Sequence, residues 1–347
     1  MIVDFTCALS AEIKSVSEKF KNYSIKSIFF GGGTPSYLDE YSLKNIYEQI
    51  NSSYDIDPNV EFSIEVNPTD LNEKKLKLYE SIGINRISLG GQSFEDEILI
   101  KLGRNHDSKD LETSLNILQD SYIKNINLDL IFGVPDQTIE HWKKTLDKFL
   151  SYSLPHLSAY CLTFEPKTKY FRDLKLNKIS SPPENLLVKM FNYNSKTLPK
   201  SNYEQYEISN VSKPGRKCRH NLKYWTDGEW LGFGCGAHST RGGARWSNIS
   251  ETSRYIENVT SGQDVALSQR CLSDDERLGD ALFMGLRLTE GLDISLIEQR
   301  YGISVMEKYR SALAPFIEKK RLLYESGRLR LSREGMLIAN DVMGAFV

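Results

Sequence analysis

The sequence of 347 residues has little cysteine, and its cysteines lack the spacing that makes cysteine informative. No two of the five stand in a Cys-x2-Cys pair; they are Cys7, Cys161, Cys218, Cys235 and Cys271. Such pairs are typical of zinc ribbons and local metal clusters, so neither is expected. An odd number of cysteines in a chain of this length also argues against the disulfide framework of a small secreted domain.

Long apolar runs and an excess of one charge are absent as well. No stretch approaches the roughly 18 apolar residues that a membrane-spanning helix needs. Residues 1–14 include Asp4 and Glu12 and do not fit a signal peptide. The formal net charge of −2 gives no support for nucleic-acid binding, which usually shows a basic footprint. We therefore expect a globular, cytoplasmic protein with no membrane span and no nucleic-acid partner; peripheral association with a membrane stays open.

Short apolar runs alternate with helical patterns in the first half of the chain. This alternation predicts βαβ units and an α/β fold around a parallel sheet. Nearly continuous apolar strands agree with a sheet that is covered on both faces. The predicted strands are 27–30, 60–66, 85–89, 126–131 and 156–162, and the predicted helices are 6–21, 42–52, 72–81, 94–102, 109–121 and 138–152.

The amino-terminal helix has an apolar face formed by Phe5, Ala8, Leu9, Ile13 and Val16, and no clear strand precedes it. A parallel α/β layer normally begins with a strand. The position of that strand is predicted to be empty, or filled by residues 2–3 alone. The periodicity therefore indicates that a first βα loop is missing.

The alternation weakens after residue 162. Residues 180–183 are predicted to be a connector, 203–209 a strand and 210–250 a long functional loop region. Helices are predicted at 274–287, 293–301, 304–318 and 334–343, with a hairpin of strands 322–324 and 329–331. These elements indicate a small, winged-helix-like module. Packing against the barrel is favoured over DNA binding, because no basic stripe is present.

Several residues able to contact a ligand lie late in the predicted strands or just after them, and Arg104 follows a predicted helix. Three glycines after a strand allow backbone N–H groups to approach a ligand closely. Taken one at a time, each residue of this set is better explained as a turn, a cap or an ion-pair partner. Taken together at successive strand ends, they favour a binding site, because such ends hold the ligands of α/β barrels. The set comprises Gly31, Gly32, Gly33, Thr34, Glu65, Gln92, Arg104 and Asp129.

A second group of chemistry-bearing residues lies at 218–225. Cys218 and His220 are candidate axial ligands of a haem iron, and Tyr224 and Trp225 could pack on a porphyrin face. The alternative is a loop whose aromatic side chains fill the core and whose histidine is structural. From spacing alone the structural alternative is favoured.

Together these segments resemble the coproporphyrinogen-oxidase-like radical S-adenosylmethionine (SAM) family, and within it the haem-chaperone branch. The resemblance runs from about residue 6 to the carboxyl terminus. It implies an incomplete radical SAM barrel, TIM-like but partial, over 1–205, a haem-motif region over 206–265 and a helical, winged-helix-like module over 266–347. The matching segments are FFGGGTPS at 29–36, EVNP at 65–68, GINRISLG at 83–90, QSF at 92–94, LGR at 102–104, NLDLI at 127–131, HNLKYW at 220–225 and GCGAHS at 234–239.

The resemblance implies binding of haem and its transfer to an acceptor protein. His220 would be the iron ligand, with Cys218, Tyr224 and Trp225 beside it. The alternatives are an oxygen-independent coproporphyrinogen III oxidase-like enzyme and an inactive product, so enzymatic activity stays open and no catalytic residue is assigned. The residues expected to contact SAM are Gly32, Gly33, Thr34, Glu65, Gln92, Arg104 and Asp129.

Two features depart from the family pattern. The family's first strand and its Cys-x3-Cys-x2-Cys loop would precede residue 6, and Cys7 matches none of the cluster cysteines. A [4Fe–4S] cluster is therefore expected for the family, but its ligands are missing here. A start-site error, a truncated gene and a natural clusterless form all stay open. The second departure is Gly91, which stands where valine is usual.

Overall fold

The computed structural model describes residues 1–20 and 23–346. The chain divides into two compact units. The first unit comprises Met1–Ile28, Leu38–Glu61 and Cys218–Val347, and the second comprises Phe29–Tyr37 and Phe62–Lys217. The predicted division at residues 205 and 265 stays a prediction.

A curled seven-stranded sheet forms a half-barrel, which confirms the predicted α/β fold and partial barrel. Its strand order is β1-β2-β3-β4-β5-β7-β6. Strands β2 to β5 pair in parallel, and β7 pairs antiparallel with both β5 and β6. The strands are β1 (Ser24–Phe30), β2 (Asp55–Val66), β3 (Arg86–Gln92), β4 (Asn125–Phe132), β5 (His156–Cys161), β6 (Glu204–Gln205) and β7 (Asn210–Ser212).

One face of the central strands is apolar and fully buried. Ile64, Ile87, Leu128 and Leu157 are all 0% exposed and come from four neighbouring strands. Because side chains alternate along a strand, the residues between them face the other side of the sheet. That other side carries polar residues, and the candidate site lies on it.

Helices connect the strands, as the alternation predicts. The predicted strands and helices up to residue 162 agree with the observed ones to within about five residues. Of the predicted strand 203–209, only the two residues of β6 are observed as a strand, and β7 begins just after it at Asn210. The helices in this part are α1 (Ile2–Ser17), α2 (Glu40–Ser53), α3 (Glu73–Ser81), α4 (Asp96–Lys101), α5 (Ser108–Gln119), α6 (Ile139–Ser151), α7 (Lys169–Lys175) and α8 (Glu184–Thr197).

The amino terminus is helical from its second residue. Helix α1 begins at Ile2, so the prediction that residues 2–3 could fill a strand position is wrong. The predicted end of this helix at residue 21 lies outside the described residues. Ala8 and Ile13 are buried, which confirms the predicted apolar face.

Residues 210–250 are not a long loop, and that prediction is wrong. They contain strand β7 of the large sheet, helix α9 (Arg219–Trp225) and the hairpin of β8 (His238–Arg241) and β9 (Ala244–Asn248). Gly242 and Gly243 make the hairpin turn with φ of +58° and +78°, values that favour glycine. Helix α10 (Thr252–Thr260) and strand β10 (Ala266–Cys271) follow, and β10 completes a three-stranded sheet of order β10-β9-β8.

The carboxyl-terminal part is helical with a hairpin, as predicted. Ser326 and Gly327 both have positive φ at its turn. The predicted helices 304–318 and 334–343 are each observed as two. The elements are α11 (Asp274–Gly285), β11 (Leu292–Asp293), α12 (Ile294–Tyr301), α13 (Val305–Lys308), α14 (Arg310–Glu318), β12 (Leu322–Glu325), β13 (Arg328–Leu331), α15 (Arg333–Met336) and α16 (Ala339–Met343).

Within residues 1–20 and 23–346, no helix combines the length and the apolar character that a bilayer crossing requires.

Candidate functional site

The glycine-rich loop after β1 is held close to β2 by its glycines. A Cβ on Gly31 would lie 2.4 Å from the Phe29 ring and 3.0 Å from the Glu65 carboxyl carbon, so no side chain fits. Gly32 has a φ of +76°, and a Cβ there or on Gly33 would meet open space. The buried Ser36 anchors the end of the loop by donating to the Asp70 carboxylate at 2.7 Å. The loop is therefore fixed at its ends and open where a ligand would approach.

Glu65 lies at the carboxyl end of β2 and faces this loop. The Gly32 N–H donates to its Oε2 at 3.3 Å. Burial, together with the nearby Asp129 carboxylate, raises the pKa of Glu65 to about 7. Each of these two carboxyl groups disfavours the ionisation of the other. A ligand cation bound beside them would stabilise their ionised forms.

Asp129, on β4, is held by polar neighbours on the inner face of the sheet. Ser88 donates to its Oδ2 at 2.9 Å, and Asn127 Nδ2 donates to its Oδ1 at 2.9 Å. Burial nevertheless raises the pKa of Asp129. The ordinary expectation for a barrel interior is branched apolar residues, so this polar layer indicates a binding surface.

Asn127 joins this layer to a buried histidine. The strand register places Ser88, Asn127 and His156 side by side. Asn127 Oδ1 lies 2.6 Å from His156 Nδ1, and Tyr206 Oη lies 2.7 Å from His156 Nε2. Because Asn127 Nδ2 faces Asp129, its Oδ1 is the acceptor, and His156 Nδ1 carries the proton. Burial holds the pKa of His156 well below its usual range, so it stays neutral.

Gln92 and Arg104 complete the predicted set in the second unit. Gln92 is buried with a φ of +62° after a bulge in β3, and such bulges redirect a side chain. Burial lowers the pKa of Arg104, and the Asp129 carboxylate opposes that shift. Gly91, the departure from the family pattern, is tightly packed: a Cβ there would lie 2.7 Å from Leu128 Cδ1.

The second predicted site is organised around His220 in the first unit. His220 Nδ1 lies 3.0 Å from Ser27 Oγ of β1, and its Nε2 lies 2.9 Å from the Tyr224 hydroxyl one helical turn later. Burial lowers the pKa of His220 to about 4. The imidazole is therefore neutral at pH 7, which is the form that binds iron.

Helix α9 has its amino end capped by Glu61 of β2. The Glu61 carboxylate accepts the backbone N–H groups of His220 at 2.9 Å and Arg219 at 3.1 Å. The Cys218 thiol also donates to it at 3.5 Å, and Cys218 is only 2% exposed. A buried thiol turned to a carboxylate does not suit a haem ligand, so the geometry favours His220 over Cys218.

A group of contacting aromatic rings begins beside His220: Tyr224 contacts the imidazole, and Trp225 and Trp230 contact Tyr224. Tyr224 packs edge-on against Trp230 with ring centroids 4.6 Å apart, and lies 5.2 Å from the His220 ring. The Arg287 guanidinium stands 4.5 Å over the Trp225 ring. The Trp225 indole Nε1 is buried with no hydrogen-bond partner in the described part of the chain. The cluster thus offers apolar faces, a cation and an unused donor beside one neutral histidine.

The cysteines do not provide an iron–sulfur ligand set. Cys7, Cys161 and Cys271 are exposed, while Cys218 faces Glu61 and Cys235 faces Thr252. Among residues 1–20 and 23–346, no three histidine, cysteine or acidic side chains are grouped closely enough to hold a metal ion. A [4Fe–4S] cluster therefore does not fit the residues of this chain.

Sequence reasoning missed Glu12 of α1. Its buried carboxylate accepts the Gly234 N–H at 2.8 Å, the Tyr255 hydroxyl at 2.6 Å and Asn248 Nδ2 at 2.6 Å. It thereby fixes the glycine-rich segment around Gly234 to α1. The signal was available, because Glu12 falls at helical spacing on the apolar face of α1.

Comparison with known proteins gives a consistent family. The radical SAM superfamily profile matches residues 10–149, and the HemN C-terminal domain profile matches residues 272–338. The heme chaperone HemW of Bacillus subtilis is 34% identical over 99% of this chain and 91% of its own length. The heme chaperone HemW of Lactococcus lactis is 30% identical over 98% of this chain and 90% of its own length.

A solved structure shares the fold. The coproporphyrinogen III oxidase HemN of Escherichia coli, a radical SAM enzyme, superimposes with a TM-score of 0.87 at 22% identity, over 99% of this chain and 83% of its own. At this identity the likeness shows the fold alone. The extent and identity of the matches to the two HemW proteins establish the family. The chain therefore belongs to the HemW family of radical SAM proteins.

Proposed function

We propose that this chain binds haem through His220 and passes it to an acceptor protein. The observation that carries the proposal is a histidine on a capped helix whose imidazole contacts Tyr224, which in turn contacts Trp225 and Trp230. A neutral imidazole is the commonest protein ligand of a haem iron. The names of the relatives, which are heme chaperones, support the same function.

The surroundings of His220 suit a porphyrin. Flat aromatic side chains pack well against a large conjugated ring. Tyr224, Trp225 and Trp230 supply such faces, and Arg287 beside Trp225 supplies a positive charge suited to a porphyrin carboxylate. Haem is the cargo here, so its binding must be reversible, and a single axial histidine is a weaker hold than two.

A haemin titration followed at the Soret band tests the ligand. The wild-type chain should bind one haem saturably, and His220→Ala should weaken binding by about tenfold or more, since a direct iron ligand is lost. His238→Ala is the matched control, because His238 is exposed on β8 in the same unit. Equal affinity of the His220 variant and wild type would overturn the assignment.

We also propose that the second unit holds SAM. Gly32, Gly33 and Thr34 would line one side of it, facing Glu65 across the loop, and Gln92, Arg104 and Asp129 would complete the set. A carboxylate suits the methionyl ammonium, a guanidinium its carboxylate, and a second carboxylate the ribose hydroxyls. SAM supplies a 5′-deoxyadenosyl group when it is reductively cleaved, but that cleavage needs a cluster that these residues do not hold.

Calorimetry with SAM tests this site. Glu65→Ala should abolish most of the binding heat, because the carboxylate lies directly on the glycine loop. Glu73→Ala is a suitable control, since Glu73 lies in the first turn of α3 and is exposed. Identical heats for wild type and the Glu65 variant would argue against SAM binding here.

A further inference from the structure

We propose that Ser27 and Tyr224 are positioning residues for His220: Ser27 fixes its proton on Nδ1, and the Tyr224 hydroxyl covers Nε2 until haem iron displaces it. This inference rests on the proposed haem function. It assigns a new role to two residues, of which Ser27 lies on a strand 193 positions away from the histidine. It also reverses the simplest expectation for Tyr224, because a residue that covers the ligand atom should oppose binding.

The His220 imidazole carries one proton on one of its two ring nitrogens. A neutral imidazole has one N–H and one lone pair, so one ring nitrogen donates and the other accepts. A phenol hydroxyl is far more acidic than an alkyl hydroxyl and is the better donor. Tyr224 therefore donates to Nε2 at 2.9 Å, and Nδ1–H donates to Ser27 Oγ at 3.0 Å.

Metal-binding histidines usually donate their other ring N–H to a nearby oxygen, which fixes the tautomer and makes the ligand atom more basic. Ser27 already occupies that position on Nδ1. Nε2, which lies on the side of the ring away from Cβ, is left as the ligand atom. The protein thus holds the tautomer that iron needs before any haem arrives.

Haem binding exchanges the partner of His220 Nε2. The Tyr224 O–H···Nε2 hydrogen bond breaks and an iron–Nε2 bond forms. Tyr224 keeps its proton, and neither the iron nor the protein is oxidised or reduced. The Tyr224 side chain, which is partly exposed, has to turn its hydroxyl away from His220. Losing this competing hydrogen bond in advance should strengthen haem binding.

The haem affinities of four variants test whether the Tyr224 hydroxyl covers His220 Nε2. Tyr224→Phe keeps the ring that packs on Trp230 and removes only the hydroxyl, so it should bind haem about three- to tenfold more tightly than wild type. Tyr301→Phe is the control, because it removes a half-buried hydroxyl that bonds Asp227 elsewhere in the same unit. Ser27→Ala should bind more weakly, and Ser27→Thr should restore wild-type affinity.

Resonance Raman spectra of the ferrous complex test the positioning directly. The iron–histidine stretching frequency should fall in Ser27→Ala and return in Ser27→Thr, because it follows hydrogen bonding at Nδ1. A purely structural role for Ser27 would leave that frequency unchanged and would overturn its part of the proposal. If Tyr224→Phe has a native circular dichroism spectrum and binds haem no more tightly than wild type, the role proposed for the Tyr224 hydroxyl is wrong.

Failure of the proposed function gives a different pattern. If His220→Ala binds haem with the affinity and spectrum of wild type, histidine 220 is not the ligand and the inference falls with it. If His220→Ala loses the histidine signature while both Ser27→Ala and Tyr224→Phe behave as wild type, haem binding stands and only the positioning roles are lost.

Discussion

At the scale of single residues, buried carboxyl groups do most to define both candidate sites. Glu65 faces the glycine loop, Glu61 caps the helix that carries His220, and Glu12 ties α1 to the segment around Gly234. Each accepts backbone N–H groups from elements distant in the sequence. A buried carboxylate is costly unless donors surround it, so Glu61 and Glu12, each of which accepts several hydrogen bonds, mark places where the fold is built around an acidic group.

The raised pKa of Glu65 predicts that SAM affinity depends on pH. With a pKa of about 7, most Glu65 side chains are protonated at pH 5.5 and half are ionised at pH 7. The ionised form pairs with the SAM ammonium, which keeps its proton over this range, so affinity should rise roughly tenfold from pH 5.5 to 7. Calorimetry at both values measures it. A similar rise in Glu65→Gln would show that another group is responsible.

The raised pKa of Glu65 also makes the stability of the folded chain depend on pH. A carboxyl group whose pKa is higher in the folded than in the unfolded chain binds more protons when folded, so its contribution to stability falls as pH rises from about 4.5 to 7. Bound SAM should reverse that loss, because its ammonium lowers the pKa of Glu65.

Replacing Glu12 should destabilise the first unit. Glu12→Gln puts an amide donor where the structure supplies only donors, so the free energy of unfolding should fall by about 1–3 kcal/mol. Urea unfolding measures the change. Glu18→Gln, an exposed position just after α1, is the control and should have little effect. Equal midpoints for the two variants would contradict the role given to Glu12.

At the scale of elements, helix α9 depends on a cap from far away in the sequence. The residue at its amino end, Cys218, makes no side-chain capping bond, and Glu61 supplies the cap instead. Glu61→Ala should therefore lower the free energy of unfolding by about 1–2 kcal/mol and weaken haem binding, while Glu61→Gln should retain part of both. A loss of stability with unchanged haem affinity would show that α9 needs no cap to bind.

This dependence explains what sequence reasoning could and could not find. The central strands were predictable because apolar residues such as Leu128 and Leu130 recur along them and form the buried face. The polar residues between them, such as Asp129, form the other face. Helix α9 was missed because its cap stands 159 residues before His220. The hairpin of β8 and β9 was missed although Gly242-Gly243 signals a two-residue turn.

The candidate sites were predictable in part for the same reason. Residues at strand ends follow from the βαβ pattern, so Glu65 and Asp129 could be placed on one side of the sheet. Their partners could not, since the bonds from Asn127 to His156 and from Ser27 to His220 depend on strand register and long-range packing. No local pattern encodes those contacts.

At the scale of the whole molecule, the chain combines a half-barrel of the radical SAM type with residues that do not hold a cluster. Anaerobic reconstitution with iron and sulfide should therefore give no stoichiometric [4Fe–4S] centre, because a cluster needs thiolates brought close together. Electron paramagnetic resonance of the reduced sample checks this. A stoichiometric signal that SAM perturbs would mean that distant cysteines converge or that a second chain supplies ligands.

The proposed haem site uses no cluster ligand, and every residue assigned to it lies in the first unit of the chain. We propose that the axial ligand of the iron is a nitrogen of His220. Electron–nuclear double resonance of the ferric haem complex, prepared with ¹⁵N-labelled histidine, measures that bond directly. We expect a ¹⁵N coupling from one axial histidine that disappears in His220→Ala. A complex without histidine coupling, or one whose coupling persists in His220→Ala, would contradict it.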